Sequence, residues 1–174
     1  MFDPAAIERA EWMNEFAQAP ATLVFDTFVL GYFSCRPKAD ANGQYVSRAA
    51  YVDLNRANLF EIVGLSEQPI MALGGLGTFD EFGTYPTSVI RHGDEIRAYY
   101  GGWTRCASVP FDVAIGHAIS RDGGVTFENG TVNKHVTKAD FDSSGEFRFR
   151  FIMANGVSTS TCHTVNMSQG GTGL

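Results

Sequence analysis

Hydrophobic and polar residues along this chain fall into short runs of period-two alternation separated by turn residues. Between residues 113 and 120, Val113, Ile115, His117 and Ile119 alternate with Ala114, Gly116, Ala118 and Ser120, placing large side chains on one face and small ones on the other. That pattern predicts a strand held closely between neighbouring sheets. The runs Pro20 to Phe25, Phe28 to Cys35, Val46 to Asp53 and Ile62 to Leu73 are apolar, aromatic and β-branched, and predict four more strands, the last interrupted at Pro69. Turns are expected at Asp26-Thr27, Gly93-Asp94 and Arg121 to Gly124, with an outer strand starting over Val125 to Glu128. Asn42-Gly43 reads as a tight turn with both central residues at positive φ. Gly74-Gly75-Leu76-Gly77 lacks the Gly-Lys-Ser/Thr ending of a phosphate cradle and reads as a flexible connection between sheets.

The two ends of the chain read differently. Asp3 before Pro4 is a helix start, a side-chain acceptor followed by a ring pre-set for the first turn. With Ile7, Trp12 and Phe16 available for packing, one short helix is expected through Ala17, closed before Pro20. Near the C-terminus, Glu146 to Ala154 and Val157 to Val165 read as a hairpin about Asn155-Gly156. Gly170 to Gly173 reads as a frayed tail.

The strands repeat. Leu23 to Phe25, the turn at Asp26-Thr27, Val29 to Arg36 and Val46 to Asp53 are matched 67 residues on by Ile90-Arg91, the turn at Gly93-Asp94, Ile96 to Trp103 and Val113 to Ser120. At constant offset Val29 falls on Ile96, Tyr32 on Tyr99, Phe33 on Tyr100, Val46 on Val113 and Val52 on Ile119. A strand-turn-strand unit repeated at tens of residues predicts stacked β-sheets rather than one continuous sheet. The rhythm stops after Asn129, which divides the chain into 1–128 and 129–174, the second segment being a candidate hairpin cap over an open sheet edge.

Composition agrees with this and narrows the function. The chain has 174 residues, 44% of them hydrophobic, enough for one domain with a sizeable core. Its 19 glycines and 13% aromatics suit short strands and tight turns. A formal net charge of −6 argues against non-specific nucleic-acid binding, which needs a basic surface, but is compatible with a neutral or weakly charged ligand such as a sugar. No apolar run reaches the roughly 20 residues that span a bilayer, so no membrane partner is expected. Asp3, Glu8 and Glu11 interrupt any signal sequence, and Cys35, Cys106 and Cys162 form no paired motif, so a cytoplasmic chain with free thiols is expected. The Asn129 and Asn166 glycosylation triplets carry no weight without a secretory route.

Five stretches together resemble a known superfamily. They are Phe16 to Pro20, Tyr32 to Pro37, Gly77 to Pro86, Tyr99 to Trp103 and Ala114 to Gly124. As an ordered set over roughly residues 12 to 128 they are similar to the glycosidase-related five-bladed β-propeller proteins, which include glycoside hydrolase families 43 and 32 and the family 130 phosphorylases. The resemblance implies an all-β fold, a partial propeller of two to three four-stranded blades. The implied activity is hydrolysis or phosphorolysis of a glycosidic bond at the inner ends of the blades. Two departures stand out: the matching sequence covers about two blades, and Ala19 and Tyr85 precede Pro20 and Pro86 where hydrolases of the superfamily commonly carry Asp.

Glycoside cleavage generally needs two carboxyl groups. Asp80 and Glu81, in a glycine-flanked segment leading into an inner strand, are the acidic candidates; the competing reading is that Asp80 caps the turn and Glu81 is solvated. Asp140, Asp142 and Glu146 read as exposed loop acids. Trp103, Arg105, Tyr85 and Arg36 form the binding set, since an indole face stacks on the C–H face of a sugar and guanidinium forks take vicinal hydroxyls. Trp103 is equally readable as core, and His117 as a satisfied core histidine or as a substrate-facing one. His92, His117, His135 and His163 show no metal-ligand spacing, so neither metal nor cofactor is expected. The expected partner is a small saccharide or oligosaccharide, with a homo-oligomer through open sheet edges. The alternative to an enzyme is a non-catalytic carbohydrate-binding or assembly module derived from a shortened propeller.

Overall fold

The computed structural model describes residues 8–129. These lie in the first of the two units into which the chain divides, Met1–His135 and Val136–Leu174. The expected C-terminal hairpin, the glycine tail, and Asp140, Asp142 and Glu146 lie outside the described residues.

Among the described residues eight strands form two antiparallel four-stranded meanders: β1 (Glu15–Val24), β2 (Phe28–Arg36), β3 (Arg48–Asn55) and β4 (Asn58–Leu65), then β5 (Gly83–His92), β6 (Glu95–Thr104), β7 (Asp112–Ser120) and β8 (Glu128–Asn129). The fold is all-β. No helix of the described residues is long and apolar enough to cross a membrane.

The helix expected through Ala17 is corrected over the described residues. Glu11–Met13 is a single 3-10 turn that buries Met13, and Glu15 to Ala17 already belong to β1. Trp12 and Phe16 are spaced for one helical face, but from Glu15 onward the chain pairs with β2, so Phe16 belongs to a strand. Three smaller corrections follow the same logic. Strand β4 starts at Asn58 and ends at Leu65, because a tight turn at Arg56-Ala57, held by the Asn55 side chain on the Ala57 amide, returns the chain at once. Ile70 and Met71 are instead buried loop residues. In the loop before β3 only Gly43 has positive φ (73°); Asp40 Oδ1 accepts the amides of Asn42 and Gln44 and shapes the turn. Val125 to Phe127 belong to a turn, and β8 starts at Glu128.

The repeat holds for the first two strands of each sheet and slips in the third. Gly31 pairs with Val52, and Ala98, 67 positions after Gly31, pairs with Ala118. Val52 therefore corresponds to Ala118, not Ile119, and Val46 lies before β3. The β6–β7 connection is one residue short relative to β2–β3, and a one-residue slip moves a side chain to the other face.

The first sheet presents Leu30 and Tyr32 to the second, which answers with Ile96, Ala98 and Tyr100 in one core cluster. The opposite face of the first sheet buries Phe33, Cys35, Ala50 and Val52 beneath Met13 and Trp12. At the repeat offset Ile96, Ala98 and Tyr100 correspond to Val29, Gly31 and Phe33, and Phe33 packs on the opposite face of the first sheet. The two sheets thus stack in the same sense, front on back.

Polar bonds reinforce that stack. The Tyr32 hydroxyl donates to the Gly124 carbonyl at 2.9 Å, Ser34 Oγ donates to the Thr84 carbonyl at 3.2 Å, and the Ser47 amide bonds the Phe82 carbonyl at 2.9 Å. Burial and then the Asp122 charge hold the Tyr32 phenol well above its ordinary pKa, so it remains a donor. Gly124 lies so close to Tyr32 that a Cβ would overlap its hydroxyl. The turn that carries Gly124 is built on Asp122, which accepts the amides of Val125 and Thr126, the Thr126 hydroxyl and the Ser120 hydroxyl. Burial alone would raise the Asp122 carboxyl, but these bonds outweigh it and hold the group below the ordinary carboxylate range.

Candidate functional site

At one end of both sheets the chain surrounds a cleft of about 490 Å³, lined by Gln18, Ala19, Ser34, Arg36, Gly43, Gln44, Tyr45, Ser47, Tyr85, Trp103, Phe111 and Val113. Three of the five expected binding residues, Arg36, Tyr85 and Trp103, meet there. Arg36 ends β2 and Trp103 stands near the end of β6, 67 residues apart, so the same repeat position supplies a guanidinium from one sheet and an indole from the other. Gln18 pairs with Ser34 as Tyr85 pairs with Gly101, so these two residues are repeat equivalents as well.

Glycines make room for the aromatic walls. Trp103 lies across Gly83 and Tyr85 across Gly101, and a Cβ at either glycine would overlap the ring. Burial raises the Tyr85 phenol pKa, keeping it a neutral donor. The Trp103 indole also leans on Phe82, with ring centres 6.1 Å apart.

Arg105 does not line the cleft but braces it. Its guanidinium sits over the Phe82 ring at 4.0 Å, and Nη2 donates to the Tyr45 carbonyl at 2.9 Å, tying the loop before β3 to the second sheet. The Tyr45 ring lies on the Arg36 guanidinium at 5.4 Å, with Phe16 at 5.2 Å, and Arg36 Nε donates to Ser47 Oγ at 3.1 Å.

Neither acidic candidate is among the residues that line the cleft. Asp80 is 3% exposed and accepts the Tyr100 hydroxyl on Oδ2 at 2.9 Å. Burial, then the bond to Asp80 and its charge, hold Tyr100 well above the ordinary phenol value, so the proton stays on Tyr100. Glycines enclose the pair: a Cβ at Gly74 would strike Asp80 Oδ1, one at Gly102 would strike Phe79 and Asp80, and one at Gly116 the Tyr100 ring. Glu81 Oε2 accepts the Gly77 amide at 2.9 Å. His117, on β7, sits 5.1 Å from the Tyr99 ring outside the cleft lining, and burial followed by the Arg97 charge lowers its pKa. No group of three or more His, Cys, Asp or Glu that could hold a metal is found among the described residues.

Gln18, Gln44, Tyr45 and Phe111 were not anticipated from the sequence. Tyr45 and Gln44 follow the Asn42-Gly43 signal directly, so a turn-flanking polar and aromatic pair was the clue available.

No known family profile matches the chain. Uncharacterized proteins from two strains of Mycobacterium tuberculosis, CDC 1551 / Oshkosh and ATCC 25618 / H37Rv, are each 33% identical over 120 residues, covering 68% of this chain and 38% of their own length. The chain thus spans well under half of the curated relatives it matches. Among solved structures, a family 117 glycoside hydrolase of the marine bacterium Zobellia galactanivorans superposes with a TM-score of 0.53 at 19% identity, over 73% of this chain and 35% of that protein. That likeness is one of fold, and it makes the fold glycosidase-like.

Proposed function

We propose that this chain is a carbohydrate-directed, glycosidase-like module in which two propeller blades share one saccharide-binding cleft. The observation that carries the reading is the convergence of repeat-equivalent residues: Arg36 and Gln18 from one sheet face Trp103 and Tyr85 from the other across a single hollow. An aromatic wall opposite amide, hydroxyl and guanidinium donors suits a ring with one apolar C–H face and a hydroxylated rim. The same-sense stacking supports the propeller, because blades repeat by rotation and each offers its front to the next one's back. In this reading residues 1–128 are the propeller part and 129–174 a separate segment.

The test is calorimetric titration of the intact chain against a panel of mono- and oligosaccharides. Trp103→Ala is expected to weaken the binding partner found by roughly tenfold, the loss of about one stacking contact. A panel that gives no heat, or binding indifferent to Trp103→Ala, contradicts the assignment.

A second reading, cleavage of a glycosidic bond by hydrolysis or phosphorolysis with Asp80 and Glu81 as the acids, is favoured by the fold likeness alone. It requires the Asp80 carboxyl to leave the Tyr100 hydroxyl and reach the cleft. Aryl glycosides and oligosaccharides, with and without phosphate, test it: turnover abolished by Asp80→Asn supports cleavage, and turnover that survives removes Asp80 from the chemistry.

A further inference from the structure

We propose that the saccharide this cleft takes is acidic, and that Arg36 reads its carboxylate or sulfate. The inference rests on the saccharide reading above and narrows it to a charge class. Among the described residues, Arg36 is the one charged residue of the cleft lining. Among the described residues no carboxylate stands within ion-pair distance of it: the ion pairs there are Arg97 with Glu95 and Arg121 with Glu95 and Glu128. Glu15, paired with it across the strands, makes no ion pair with it and accepts the Asn14 side-chain amide at 3.4 Å.

The guanidinium is also held in place. Phe16 and Tyr45 lie against it, and Nε is committed to Ser47, which turns the two Nη groups into a fork of fixed plane. Phe16 reaches that position from left-handed backbone (φ 66°), and cleft-lining Ala19 is left-handed too (φ 51°). Such conformations are costly for residues with a Cβ and gather at ligand clamps. A fixed guanidinium with no carboxylate in ion-pair contact among the described residues, set in an aromatic cleft, matches the bidentate geometry of a carboxylate or sulfate.

Titrations of the intact chain use two matched pairs: an oligogalacturonate with its methyl ester, and a sulfated galactan oligosaccharide with its desulfated form. The acidic member of one pair is expected to bind roughly tenfold or more tightly than its neutral partner, and the pair that shows this identifies the anion. The preference should shrink as salt is raised, disappear in Arg36→Gln and persist in part in Arg36→Lys. Equal binding within both pairs, neutral members binding better, or a preference that survives Arg36→Gln overturns the proposal while leaving the saccharide reading standing. Failure of all four ligands together with the wider panel overturns both. Salt dependence on the unaltered chain decides the matter should Arg36→Gln fold poorly.

Discussion

The buried bond between Tyr100 and Asp80 shows how one hydroxyl can fix a loop. Removing it in Tyr100→Phe leaves a carboxylate at 3% exposure without that donor, which should cost about 1–3 kcal/mol in a urea unfolding series. An unchanged midpoint would mean that the bond contributes nothing. Cysteine chemistry gives a second residue-scale contrast. Burial, only partly opposed by the Arg48 charge, pushes the Cys35 thiol up to about 12, and Cys106 is exposed. Peptide mapping after brief alkylation at mildly alkaline pH should find Cys106 modified and Cys35 intact; fast labelling of Cys35 would contradict its burial. At this scale residue type and repeat position were legible, and Trp103, Tyr85 and Arg36, singled out on that ground, line one cleft. For Asp80 the sequence offered a catalytic acid or a turn cap and not the buried partner of Tyr100, since nothing in Phe79-Asp80-Glu81 tells which carboxyl turns inward to a tyrosine 20 residues on.

Among the elements, the turn from Ser120 to Phe127 carries the most side-chain design. Asp122 organises it and Gly124 hands a carbonyl to Tyr32 of the other sheet. Asp122→Ala should destabilise the fold by about 1–2 kcal/mol. Because the folded carboxyl titrates below its ordinary value, the stability it supplies is complete above the unfolded value near 4. That part is lost as pH falls through the folded value, and in Asp122→Ala this part of the acid-side loss should vanish. Identical acid profiles for the two proteins would contradict the role assigned to the turn. Strand existence and the 67-residue rhythm were legible because alternation and turn residues are local. Register was not. A bulge between Pro86 and Ser88 shifts the β5–β6 pairing by one, which sets Tyr85 opposite Gly101 and Trp103 opposite Gly83. Without a backbone N–H, Pro86 cannot continue the ladder regularly, but the sequence does not show which neighbour absorbs the extra residue. The helix expected through Ala17 failed for a related reason, since pairing with β2 decides that segment and no local signal reports a partner strand.

For the whole molecule, the sheet edges left unpaired among the described residues are the physical issue. Strand β4 has Phe60 at 85% and Val63 at 62% exposure on an edge of the first sheet. Such an edge favours pairing with another chain, so light scattering should find association that grows with concentration and is reduced by Phe60→Lys. A monomer at all concentrations would contradict it. Cleft and repeat belong together at this scale, because the cleft exists where equivalent ends of two sheets stacked in one sense come together. The claim that this hollow holds a saccharide is tested most directly by following the two tryptophan indole N–H resonances during a saccharide titration. Trp103 lines the cleft, while the Trp12 indole donates to the Glu67 carbonyl away from it. The account predicts a saturable shift of the Trp103 signal with Trp12 unmoved; a still Trp103, or equal drift of both, would contradict it.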